Sequence, residues 1–140
     1  MDKKIVPRGI RNNNPLNIRK GNNWKGEIQP QFDKSFEQFE SMQYGIRAGF
    51  IILRRYMTGY NGLTQRFNTI DKIISRWAPA AENNTKAYIA QVEKLTGIPR
   101  HQQLSFTERS FMVALVDAMI RVECGQPVDK SIIESAYDMV

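Results

Sequence analysis

Cysteine and histidine are nearly missing from this sequence: Cys124 and His101 each occur once. One cysteine excludes an internal disulfide and a cysteine-based metal cluster. One histidine with no second leaves no basis for a dedicated zinc site. A Cys124/His101 nucleophile pair carries no local signature and is not expected. No apolar run approaches the roughly 20 residues of a membrane span, so no transmembrane segment is expected. The start, Met-Asp-Lys-Lys-Ile-Val-Pro-Arg, lacks the apolar centre of a secretory signal, which predicts no export by the usual route. Walker loops, Gly-x-Gly-x-x-Gly, His-Glu-x-x-His and Gly-x-Ser-x-Gly are all missing, and neither internal repeats nor low-complexity tracts occur. No metal and no cofactor are therefore expected. The polar resources that remain are carboxylates, Asn, Tyr and Trp.

What is present suits one domain. A chain of 140 residues can bury a sizeable core. Net charge is +6, and it is unevenly spread: +5 over residues 1–30, −2 over 31–40, +5 over 41–80 and −2 over 81–140. A basic first half suits a polyanion such as nucleic acid, a membrane surface or an anionic cell-wall polymer. The basic residues are scattered rather than in a run, so nucleic acid is the weakest of these.

Residues 1–8 read as a tail, and residues 9–140 as a single domain. Arg8 to Arg19 reads as an ordered polar loop, because three Asn before Pro15 compete for backbone hydrogen bonds and favour an extended shape. Leu16–Arg19 alternates, Lys20-Gly-Asn-Asn forms a turn, and Trp24–Ile28 continues, which predicts a small β-hairpin. Helical spacing follows: Tyr44, Ala48, Ile51, Ile52 and Tyr56 ending at Gly59 and Gly62; Ile70 to Trp77 after Thr69; and Tyr88, Ile89, Val92 and Leu95 behind the cap Glu82-Asn-Asn-Thr85, closed by Gly97. The run Ser105–Gly125 opens on a capping box, Ser105 with Glu108, and closes at Gly125. It is apolar nearly all round, which predicts the central helix of the domain. Asp129 caps a last short helix. The fold class is mainly α (α+β), helical with the hairpin near its start.

Glu123 stands out in the last turn of that central helix. The helix dipole disfavours an anion there, and apolar neighbours favour the protonated carboxyl, the form a general acid requires. A carboxyl beside aromatic and amide side chains is the equipment of a carbohydrate-cleaving site, since sugars stack on Trp and Tyr and Asn both donates and accepts.

Several blocks carry a resemblance: Arg8-Gly-Ile-Arg-Asn-Asn-Asn-Pro-Leu-Asn-Ile-Arg19, Trp24-x-Gly26, Phe36-x-x-Phe39-x-Ser41, Gly45-Ile-Arg-Ala48, Arg76-Trp-Ala-Pro79 and Glu82-Asn-x-Thr85-x-x-Tyr88-Ile89. Over most of its length the chain resembles a family of phage and prophage proteins described as virion structural or lysozyme-like. A second similarity is to the bacterial glucosaminidases of autolysins and flagellar muramidases. There a catalytic Glu ends a helix, and an Asn-Leu-Phe block, Trp-x-Gly, an acidic hairpin residue, an aromatic-Ser block and a later Tyr follow. Asn14–Arg19, Trp24–Gly26, Asp33, Phe36–Ser41 and Tyr88 match in that order, but no Glu precedes the Asn block. Ile120-Arg-Val-Glu-Cys-Gly125 supplies one at the other end of the chain. The resemblance thus implies a circularly permuted lysozyme-like domain, with Glu123 brought in space to the loop that begins it.

The implied activity is cleavage of peptidoglycan glycan strands, by hydrolysis or transglycosylation, after release to the periplasm and cell wall or delivery in a phage virion. Glu123 is the candidate general acid, Asp33 the second carboxylate and Glu40 the rival acid. Asn12, Asn13, Asn14, Trp24, Trp77 and Tyr88 are candidate substrate-binding residues. Each has a plain structural alternative: solvated helix end, turn residue, helix-terminal charge, loop architecture or core packing. Two other functions stay open, a non-catalytic virion or wall-binding module and a nucleic-acid-binding protein.

Overall fold

Helix α5, Arg109–Cys124, buries Met112, Val113, Leu115, Val116, Ala118, Met119 and Ile120, and packs against three other helices. Each large side chain so buried contributes about 1.5–3 kcal/mol. In the computed structural model, which describes residues 6–59, 65–81 and 83–140, the others are α1 (Arg8–Arg11), α2 (Met42–Thr58), α3 (Ile70–Trp77), α4 (Thr85–Thr96) and α6 (Lys130–Asp138). Helix α5 touches α1, α4 and α6, α6 also lies across α2, and α3 packs on α4. One hydrophobic cluster runs through all of this, from Leu16 to Ala136. The protein is mainly helical, and among the described residues no helix is long and apolar enough to cross a membrane.

Local chemistry sets most of the boundaries. The Ser41 hydroxyl accepts from the Tyr44 N–H to start α2, the Asn84 side chain accepts from the Ala87 N–H to start α4, and Asp129 accepts from the Ser131 N–H to start α6. Gly125 closes α5 in the left-handed conformation at φ 71°. Gly62 and Glu82 lie outside the described residues, as do residues 1–5 of the expected tail.

Three expectations need correcting. Helix α5 begins at Arg109, not at Ser105. The Glu108 carboxylate does accept from the Ser105 N–H at 2.6 Å, but the Ser105 hydroxyl turns to the Thr107 N–H and the Glu108 N–H bonds the Ser105 carbonyl. The box closes on itself as a turn ahead of the helix. Secondly, Arg8–Arg11 is a helical turn rather than loop or tail.

Thirdly, Leu16–Arg19 and Trp24–Ile28 do not pair as a hairpin. Both pair instead with residues 35–40, through antiparallel bridges Arg19↔Phe36 and Glu27↔Phe39. The Lys20 N–H meets the Ser35 carbonyl, the Glu37 N–H the Ile18 carbonyl and the Ile28 N–H the Gln38 carbonyl. The third segment supplies backbone partners to both of the others, a non-local choice that alternation alone does not encode.

The Asn-rich loop is pressed onto α2. A side chain at Gly45 would place its Cβ 1.9 Å from the Asn13 carbonyl oxygen, so only glycine permits this approach.

Candidate active site at the end of helix α5

The last turn of α5 brings Glu123 against the loop that opens the chain. The Asn17 side-chain amide donates to Glu123 Oε1 at 3.0 Å, and Cys124 Sγ approaches the Pro15 carbonyl at 3.0 Å. Asn17 holds a left-handed backbone, φ 54°, pinned by its N–H on the Asn14 carbonyl. Gly9 of α1 lies underneath, where a Cβ would sit 2.8 Å from Asn17 Oδ1 and 3.0 Å from Cys124 Sγ. A residue near the end of the chain and one near its beginning are thus fixed side by side.

Glu123 forms the floor of a small cleft of about 180 Å³. Leu16, Asn17, Arg19 and Phe36 from the opening segments, and Trp77, Ala78, Pro79 and Asn83 from the end of α3 and the residues after it, complete its lining. The Arg19 guanidinium lies 5.2 Å from the centre of the Phe36 ring. Burial pushes the Glu123 carboxyl above its ordinary pKa, and Asn17, then Tyr88 and Trp77, act in the opposite direction. Tyr88 is buried beneath the cleft. Its hydroxyl closes no hydrogen bond, and burial together with the Glu123 charge pushes its pKa up. The Cys124 thiol is pushed up to about 11 by burial and then by Glu123, so it is neither a thiolate nor a nucleophile at neutral pH.

Asp33 sits elsewhere. It lines a separate depression with Arg8, Arg11, Phe32 and Lys34. Both its oxygens are gripped by Arg8 at 2.6 Å, and it also accepts from Asn12, Ser35 and Phe36. The Arg8 guanidinium, ahead of the backbone N–H groups and Asn12, holds this carboxyl far below the usual range against the opposing effect of burial. Glu40 is exposed and is not among the residues lining the Glu123 cleft.

The Asn triplet is architectural. Asn12 and Asn14 are 2% and 0% exposed. Asn14 bonds the Ile18 N–H and carbonyl and the Glu37 carbonyl, Asn12 joins Asp33 to Gln38, and Asn13 donates to the Phe39 carbonyl. These bonds tie the loop to the segment that pairs with it; Asn12 lines the Asp33 depression, and none of the three lines the Glu123 cleft. Trp24 is likewise buried, with the Arg55 guanidinium 5.6 Å from its ring centre, and is not an open sugar platform. Of the residues expected to bind substrate, Trp77 lines the cleft and Tyr88 backs it.

No protein-family model matches this chain. Over 122 residues it is 44% identical to Protein P5 of Pseudoalteromonas phage PM2, an alignment covering 84% of the chain and 71% of that protein. It belongs to the Protein P5 family.

In this P5-family chain the amide that meets Glu123 is the fourth Asn of the loop, Asn17, and not one of the triplet. Its place in the block Asn14-Pro-Leu-Asn-Ile-Arg19 was the available signal. A second feature was missed altogether. Glu37 is buried, one of its oxygens has no partner, and burial with the neighbouring Glu27 pushes its pKa up to about 7. Nothing in an alternation of Phe and acid marks Glu37 as different from its neighbours. Among the described residues no group of His, Cys, Asp and Glu is arranged to hold a metal ion.

Proposed function

We propose that this phage-family protein cleaves the glycan strand of peptidoglycan, with Glu123 as the general acid of a lysozyme-like, circularly permuted domain. The observation that carries the reading is the half-buried Glu123 carboxyl, its pKa raised by burial, on the floor of a cleft walled by Trp77, Phe36 and amide side chains. The junction of Glu123 with Asn17 is the contact that such a permutation requires.

The cleft fits one acid better than two. Paired glycosidase carboxyls lie about 5–10 Å apart, and no second carboxylate lines the cleft among the described residues. The nucleophile therefore comes from the sugar itself, either its N-acetyl oxygen or its 6-hydroxyl. In the second case Glu123 gives its proton to the leaving glycosidic oxygen as the C1–O bond breaks. The 6-hydroxyl oxygen bonds to C1, and its proton returns to the Glu123 carboxylate. This is transglycosylation to an anhydro-sugar end. Asn17 holds the carboxyl in register, and Trp77 offers a face to the ring. The basic first half draws the protein to an anionic wall, reached by release at lysis or inside a virion.

A zymogram on purified peptidoglycan tests this, with wild type beside Glu123→Gln and Glu40→Gln. Clearing lost only in Glu123→Gln supports the assignment, and clearing retained by that variant sinks it. A folded wild type that clears nothing favours a wall-binding or virion structural module.

A further inference from the structure

Beside the Glu123 cleft lies a second, open depression of about 600 Å³, lined by Tyr56, Phe67, Asp71, Lys72, Ser75 and Arg76. Pro79 lines both hollows. Trp77, a wall of the cleft, packs edge-on against Tyr56 with ring centres 6.4 Å apart. The two hollows therefore flank one ridge, Trp77 to Pro79.

The second hollow has the chemistry of an anion site. The Arg76 guanidinium lies 4.8 Å from the Phe67 ring centre and 5.3 Å from that of Tyr56. Stacking on two rings restricts a side chain that would otherwise be mobile, so little freedom remains to be lost on binding. None of the ion pairs among the described residues engages Arg76 or Lys72. Asp71, the one acid in the lining, is already engaged by the Thr69 hydroxyl and by His101 at 3.3 Å.

We propose that this hollow is a carboxylate subsite, in which Arg76 and Lys72 hold an acidic group of the peptide stems borne by the strand that Glu123 cuts. The inference rests on the glycan-cleaving reading of the Glu123 cleft and adds to it a reason to prefer peptide-bearing strands over bare ones. A guanidinium meets a carboxylate through two parallel hydrogen bonds, and the hollow adjoins the cleft at Pro79.

The test uses Glu123→Gln full-length protein, which binds without turnover, and soluble peptidoglycan oligomers in two forms: native, and with their carboxyls converted to amides. Native oligomers are expected to bind about tenfold more tightly than amidated ones, a preference that falls with salt. Arg76→Gln and Lys72→Gln, both at exposed positions, should remove that preference while the amidated form binds as before. Equal binding of the two forms, or a preference that survives both substitutions, overturns the subsite and leaves the catalytic reading standing. Binding of neither form, with no cleavage by wild type, overturns both.

Discussion

Asp33→Asn separates an anchoring carboxylate from a catalytic one. The side chain of Asp33 is 4% exposed and makes a two-point ion pair with Arg8, itself 47% exposed. Asn keeps the shape and one acceptor for the Ser35 and Phe36 N–H groups. It turns an amide against Arg8 or Asn12, so at least one charge-assisted bond becomes a donor–donor clash. Bonds to charged groups are worth about 1.5–3 kcal/mol each, but Arg8 recovers some hydration, so the expected loss is about 2–4 kcal/mol. For a domain of this size that lowers Tm by roughly 8–16 °C. The pH dependence has a definite sign. The folded pKa of Asp33 is depressed, so its contribution is full above the ordinary carboxylate value and declines progressively as pH falls from there toward the depressed folded value. Thermal melts followed by circular dichroism at pH 7 and at about pH 3 should show the gap between the two proteins beginning to narrow in acid, not widening. A Tm at pH 7 within about 2 °C of wild type, with peptidoglycan clearing lost, refutes this account and restores Asp33 as the second carboxylate.

Other perturbations test other joints of the structure. Gly45→Ala drives a methyl into the Asn13 carbonyl and should cost about 3 kcal/mol in chemical denaturation, where an unchanged midpoint contradicts the tight approach. Glu37 has its pKa raised to about 7, so the folded state binds the extra proton and stability falls as pH rises through that value. Glu37→Gln should therefore stabilise the protein at pH 8 and make little difference at pH 5; the opposite order rules out the raised Glu37 pKa. Tyr88→Phe removes a buried hydroxyl that has no well-formed hydrogen bond but holds down the Glu123 pKa, so Tm should hold or rise while the pH profile of glycan cleavage shifts upward. An unchanged pH profile in that variant would confine Tyr88 to the core.

How far the sequence could be read depended on how local each signal was. Ser41, Asn84, Asp129 and Gly125 act within a turn of their own positions, and the helix limits they mark are found. Ser105 and Glu108 have the right spacing for a cap, yet a three-residue spacing is satisfied equally well by a turn that stops short of the helix. Pairing of Ile18 and Ile28 with residues 35–40 is a tertiary choice, and alternation only shows that these segments are extended. The place of Glu123 at a helix end was legible because an apolar run and a glycine stop coincide in one stretch. Asp33 was legible as an acid but not as an anchor, since its partner Arg8 lies 25 positions away. Glu37 was invisible, because burial is conferred by elements that its neighbours in sequence do not reveal.

The most direct measurement is the initial rate of bond cleavage in soluble peptidoglycan oligomers by wild type and Glu123→Gln, with products identified by mass. The account predicts a rate at least about 10²-fold lower for Glu123→Gln and anhydro-sugar or retained ends in the wild-type products. Equal rates, or products with inverted ends that require a second enzyme carboxylate, would contradict it.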